Sequence, residues 1–222
     1  MSDAGAELIL TGYDHSVYTR SVRIALAEKG QHYTYVERNP FDPSDLLDLM
    51  LVHPFGRVPV LSDDGFRVYE TSAILAYVDA AFEGPSLTPS EIRKAARMQQ
   101  VISLTDSYVY QPHVRQAFSH GVYRPLMAES ADTGTLRAGL DAAPRVLDAL
   151  EEIAREGLTL CPEQMCLASC HLYPMLDYFD MVPEGRELLS RRDALSTWMH
   201  WMGRRASVVE TRPQLTATGG TV

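Results

Sequence analysis

Cysteine is scarce in this chain: 3 among 222 residues, Cys161, Cys166 and Cys170, all in one short stretch. An odd, bunched set does not make the disulfide framework of a secreted protein, and free thiols are expected. Nor does Cys-x4-Cys-x3-Cys-His repeat a zinc knuckle, and the adjacent Cys170 and His171 would point different ways from a helix, so no metal site is expected. Positive charge is also in short supply. Twenty Lys and Arg face 29 Asp and Glu, a formal charge of −9, which repels phosphate backbones and anionic lipid and argues against nucleic-acid or membrane partners. No apolar run approaches the roughly 20 residues that cross a bilayer, and Met1 to Glu7 carries no cationic apolar leader, so a cytoplasmic protein is expected. Intrinsic disorder is excluded for most of the chain by 45% apolar and 22% charged residues, enough to bury a sizeable core. Internal repeats are absent, and only Thr216 to Val222 is low in complexity and expected to fray.

What is present divides in two. The first third alternates strand and helix signals. Glu7 to Thr11 reads as a strand, and Val22 to Gly30 holds helix formers that end on Lys29 and a C′ glycine. Tyr33 to Val36 has strand composition, and Leu46 to Leu51 follows Pro43 and Ser44 as a short helix. Val58–Leu61 and Phe66–Tyr69 flank Asp64-Gly65, a hairpin signal, before a helix from Thr71 to Phe82. The order is β, α, β, α, β, β, α. Residues 83–90, Glu-Gly-Pro-Ser-Leu-Thr-Pro-Ser, read as a linker between a domain at 1–82 and an all-helical one at 91–222. There Leu136, Leu140, Ala143, Leu147, Leu150 and Ala154 form one helical stripe that Gly157 ends, and Pro144 is expected to kink or interrupt it. Glu91 to Gly121 is expected to be a long helix bent at Pro112, with further helices at Leu167–Phe179, Arg186–Leu189 and Ala194–Arg204.

Three segments, Gly12-Tyr-Asp-His-Ser-Val-Tyr-Thr-Arg20, His53-Pro-Phe-Gly-Arg-Val-Pro-Val-Leu61 and Tyr69-Glu-Thr-Ser-Ala-Ile74, together resemble the cytosolic glutathione S-transferase family in order and spacing, in its serine-type, bacterial phi/theta-like form. Leu172 to Leu176, Pro183-Glu184-Gly185 and Trp198 are similar to the family's late helices. The resemblance implies a thioredoxin-like α/β domain followed by an all-α domain, glutathione as co-substrate with no prosthetic group, homodimerisation, and transfer of the glutathione sulfur to a small apolar electrophile.

Each motif also has a plainer reading. Pro59 lacks a ladder donor, and a cis bond to Val58 would turn the Val58 backbone outward to pair with an extended peptide; a tight turn is the alternative. Glu70 and Thr71 lie where a helix starts, a site for a carboxylate and an ammonium, or an ordinary cap. The resemblance gives Arg57 the glycyl carboxylate of glutathione. It gives Ser16 the catalytic role, with a hydroxyl that favours thiolate over thiol, although Ser16 as a cap, Thr19 capping in its place, and Tyr13 as the rival contact to the sulfur are all open. Arg20 is expected to add positive potential there. Disulfide exchange is disfavoured because residues 16–19 are Ser-Val-Tyr-Thr. Residues 39–51 carry Asp42, Asp45 and Asp48 but none of the basic side chains that grip the glycyl carboxylate in relatives, and Cys166 and Ser169 stand where relatives have a Ser-x-x-Asp capping box. Tyr108, Tyr110 and His113 are candidate walls of the electrophile pocket. Two other functions stay open: a glutathione- or ligand-binding module without turnover, and a glutathione-dependent isomerase or peroxidase.

Overall fold

The computed structural model describes residues 7–215; the expected fraying of Thr216 to Val222 lies outside them. Strand β1 (Leu8–Gly12) buries alternate residues, Leu8, Leu10 and Gly12, as a half-covered strand should. It runs parallel to β2 (Thr34–Glu37) and antiparallel to β3 (Val60–Asp63), which pairs antiparallel with β4 (Phe66–Tyr69), giving a mixed sheet in the order β2-β1-β3-β4. The β3–β4 turn pairs Asp63 with Phe66 across two residues, Asp64 at φ 47° and Gly65 at φ 86°. Two positive φ values make the type I′ turn that Asp-Gly favours.

Helix α1 (Val17–Glu28) starts two residues after the end of the Gly12–His15 loop's turn and stops at Gly30, whose φ of 65° no continuing helix tolerates. Helix α2 (Pro43–Met50) has Asp42 as its cap and Pro43 at its first position, and α3 (Thr71–Ala81) follows β4 directly.

Beyond residue 91 all regular structure is helical among the described residues: α4 (Ile92–Leu104), a π-helical segment (Thr105–Tyr123), α5 (Arg124–Leu126), α6 (Thr133–Arg155), α7 (Leu167–Asp180), α8 (Pro183–Ser190), α9 (Asp193–Met202) and α10 (Ala206–Glu210). Helix α7 is the axis of the core: Ala168, Cys170, Leu172, Met175, Leu176 and Phe179 are fully buried, and it packs against α1, α4 and the π segment. At its cap, Cys166 makes no side-chain bond to the backbone.

The structure corrects four expectations. Helix α6 runs unbroken through Pro144, its stripe of Leu140, Ala143, Leu147, Leu150 and Ala154 buried; continuous packing along that face outweighs one missing donor. The long helix is not α-helical to its end: it leaves the α-helical winding at Thr105, and the N–H of Arg124 bonds to the carbonyl of Ser119, five residues back. Strand β3 starts at Val60, so Val58 and Pro59 form the join ahead of it, where their peptide bond is cis. Helix α8 starts at Pro183, with proline in the first turn where no N–H is needed.

The approach of α6 to the π segment depends on Gly139. A Cβ there would sit 2.5 Å from the carbonyl oxygen of Pro112 and 2.9 Å from the amide nitrogen of Ala117, both backbone atoms.

Candidate functional site

A cavity of about 300 Å³ opens between the β1–α1 loop, the β2–α2 loop and the π segment. Ser16 and Val17 line its base, Asn39, Pro40 and Phe41 one side, and Tyr110, Val114, Arg115, Phe118, Ser119 and Tyr123 the other. The six residues from the π segment fall at 110, 114–115, 118–119 and 123, so the wall recurs about every four to five residues. An i to i+5 winding puts such positions on one face, and a 3.6-residue period would rotate Tyr123 away from Tyr110.

The β1–α1 loop is held from several directions. Ser16 N–H donates to the Tyr13 carbonyl at 2.9 Å, Tyr13 N–H to Thr19 Oγ1 at 3.3 Å, and Tyr178 O–H of α7 to the His15 carbonyl at 3.1 Å. Ser16 is the cap of α1, and its Oγ accepts from the Thr19 N–H at 3.2 Å. Capping uses an oxygen lone pair and leaves the hydroxyl proton free to donate. Thr19 therefore does not take the cap; its own hydroxyl serves the loop.

Tyr13 comes to the same wall, but its hydroxyl is engaged. It lies 3.0 Å from the Tyr123 hydroxyl and 3.2 Å from His15 Nδ1, which is itself 3.4 Å from the Tyr123 hydroxyl. Burial first, then the Tyr123 bond and the charges of Glu37 and Glu129, hold the Tyr13 phenol above its ordinary range, so it stays protonated.

Arg20 is not part of the site. It is 1% exposed, its Nη1 donates to Asp177 Oδ2 at 2.6 Å and its Nη2 to the Val208 carbonyl at 3.3 Å. Its guanidinium joins α1 to α7 and α10, and the paired carboxylate opposes the potential expected at Ser16.

Across β1 from this loop, Val58, Arg57, Glu70 and Thr71 gather at the ends of β3 and β4. Glu70 occupies the cap of α3 with φ 68° and makes no capping bond with its side chain, which leaves an exposed carboxylate at a helix start. A glutamate in this backbone region is strained, and such residues concentrate at binding sites. Thr71, the first residue of α3, is buried. Arg57 and Glu70 both act on Tyr18 and on His53, Arg57 favouring the tyrosinate and the neutral imidazole and Glu70 opposing it. Burial is the larger influence, pushing Tyr18 up and His53 down.

Of the three candidate walls for a second substrate, the cavity takes Tyr110 alone. Tyr108 is 60% exposed and turns to solvent. His113 is fully buried, its Nδ1 at 2.9 Å from the Val109 carbonyl and its ring edge-on to Phe179; burial lowers its pKa to about 4. The three aspartates after β2 are committed locally. Asp42 caps α2, while Asp45 and Asp48 pair with Arg38 at 3.7 and 3.2 Å. The cysteines do not meet: Cys161 Sγ contacts the Gly157 carbonyl, Cys166 Sγ contacts Thr159 and Ser169, and His171 pairs with Asp106. Sequence reasoning missed His15, Phe41, Arg115 and Tyr123, whose only signal was the motif that placed Ser16 in the adjoining loop.

Comparison with known proteins agrees with this architecture. Residues 10–86 match the family profile of the glutathione S-transferase N-terminal domain, and residues 127–200 that of the C-terminal domain. Glutathione S-transferase F13 of Arabidopsis thaliana is 27% identical over 93% of this chain and 95% of its own. Glutathione S-transferase Z2 of the same plant is 30% identical over 77% of this chain and 76% of its own. Among solved structures, glutathione transferase F7 from Populus trichocarpa superposes with a TM-score of 0.80 at 21% identity, over 92% of this chain and 97% of that one. Glutathione S-transferase-I, solved with lactoylglutathione, superposes at 0.79 over 93% and 98%. With a capped α1, a cis Val58–Pro59 join, a four-stranded sheet and a helical domain beyond it, the chain belongs to the glutathione S-transferase family.

Proposed function

We propose that this protein is a serine-type glutathione transferase, related to the bacterial phi and theta branches, in which the Ser16 hydroxyl holds glutathione as its thiolate for attack on a small, largely apolar electrophile. One observation carries the reading: Ser16 accepts from the Thr19 N–H and so keeps a free proton on the wall of the cavity. The start of α1 adds positive potential where the sulfur would sit. Tyr13, with its hydroxyl tied to Tyr123 and His15, is the poorer donor.

In this reading the tripeptide lies along the ends of the strands. Its γ-glutamyl carboxylate meets Thr71 at the start of α3, its ammonium meets Glu70, and its cysteinyl backbone pairs with Val58. Arg57 faces the glycyl carboxylate. The sulfur then points past Ser16 into the aromatic cavity, where an acceptor is held in line for attack: a sulfur–carbon bond forms with the thiolate electron pair, and the leaving group or the π pair of the acceptor takes up the charge. Homodimerisation completes the proposal, on the strength of the family match.

A pH titration of bound glutathione, read by thiolate ultraviolet absorbance, tests the assignment. The bound thiol should titrate about one to two units below the ordinary thiol value of about 8.5. In Ser16→Ala it should return toward that value with glutathione still bound. A shift that survives in Ser16→Ala refutes the role of the hydroxyl; no shift in either protein favours a binding module without turnover. Turnover of a panel of electrophiles, isomerisable substrates and peroxides by the native protein then separates conjugation from the two related chemistries.

A further inference from the structure

We propose that Arg115, reaching across from the helical domain, binds the glycyl carboxylate of glutathione together with Arg57, a task for which Arg38, the base of the β2–α2 loop, is already held by Asp45 and Asp48. The inference rests on the glutathione reading above and names a binding residue beyond it.

The cavity has few cations to offer an anion. Arg38, the base of the β2–α2 loop, is held by Asp45 and Asp48. Arg124 lines the cavity but pairs with Glu129 and donates to the Ser130 carbonyl. Arg115 is exposed and, among the described residues, forms no ion pair. Its guanidinium carbon instead lies 6.0 Å from the ring centre of Phe41, in the β2–α2 loop. Part of that guanidinium bonds to the Tyr110 hydroxyl, and its remaining N–H groups are open to a planar carboxylate.

Sheet order says which carboxylate arrives there. The strands run β2-β1-β3-β4. A peptide with its γ-glutamyl end beyond β4, at α3, and its cysteine between Val58 and Ser16 has already crossed β3 and β1. Continued in the same direction, its glycyl end comes to the loop after β2, beneath Phe41 and Arg115. Arg57, just ahead of β3, is the cation that the glutathione reading already gives to the same carboxylate.

The test compares glutathione with γ-glutamylcysteine, which lacks only the glycine, by calorimetric titration against the native protein, Arg115→Met, Arg57→Met and the double variant. The native protein should prefer glutathione by roughly tenfold or more, as for a charge-assisted pair. In Arg115→Met glutathione should bind several-fold more weakly while γ-glutamylcysteine is unchanged, and in the double variant the preference should approach one. Arg115→Lys should keep part of it.

Equal weakening of both peptides in Arg115→Met overturns the proposal, as does a variant that binds both like the native protein. A change confined to the KM of a carboxylate-bearing acceptor also overturns it, by assigning Arg115 to the second substrate. Failure of the native protein to bind either peptide would defeat the glutathione reading itself, whereas tight binding of both without preference defeats the Arg115 assignment alone.

Discussion

Arg20→Met distinguishes a residue of the fold from a residue of the site. Arg20 is 1% exposed and Asp177 16%, with 2.6 Å between them, and the guanidinium also lies 5.7 Å from the centre of the Tyr173 ring. Removing one member of such a pair leaves its partner unmatched at a cost of about 3–5 kcal/mol. Asp177 keeps the Tyr173 O–H at 3.2 Å and some access to water, so the lower end, about 3 kcal/mol, applies. For a chain of this size each kcal/mol is worth about 2–4 °C in Tm, and thermal unfolding of Arg20→Met should begin about 6–12 °C earlier. Arg20→Met/Asp177→Leu, which exchanges the pair for apolar contacts, should recover more than half of that loss. Measured at a temperature where both proteins are folded, the thiol of bound glutathione should titrate alike in Arg20→Met and the native protein. A small change in Tm with the thiol pKa raised by about one unit would refute the reasoning and return Arg20 to the thiolate.

Gly139→Ala should lower stability even though alanine favours helix by about 1 kcal/mol. Its Cβ would press on backbone atoms of the π segment at 2.5 and 2.9 Å, an overpacking of about 1–3 kcal/mol beyond that gain; an unchanged or higher denaturation midpoint would contradict it. His113 supplies a pH dependence. Its folded pKa is lowered from 6.5 to about 4 by burial, so the unfolded chain binds the extra proton: the stability tied to neutral His113 is complete above pH 6.5 and is lost as pH falls through about 4. The loss approaches roughly 3 kcal/mol at the acid end, and urea titrations of His113→Phe between pH 7 and 4 should show a correspondingly shallower decline.

Much of the architecture can be read from local patterns, because each rests on a rule with one strong solution. Asp64-Gly65 meets the backbone demand of a two-residue hairpin, and the four-three spacing of the α6 stripe puts its apolar residues on one face. Pro144 misleads because a missing donor is local, whereas the packing that keeps α6 whole comes from elements far away in the chain. The cavity wall is hidden for a different reason. Residue type alone does not say which side chains along residues 105–123 meet the opening, so Tyr108 and His113 are candidates beside Tyr110, while the winding of the segment brings Tyr110, Arg115, Ser119 and Tyr123 to the cavity. Arg20 reads as a charge near Ser16 because nothing in its own segment reveals Asp177, 157 positions later.

Along the π segment the residues that maintain the interior are mostly not those that meet a guest. Val109, Pro112, His113 and Ala117 are buried, while Tyr110, Arg115, Ser119 and Tyr123 face the opening and keep some contact with solvent. Mutational drift at the second group alters what is admitted and leaves the first group's packing intact. Acceptor preference can therefore diverge among descendants of this sequence more quickly than the scaffold that carries it.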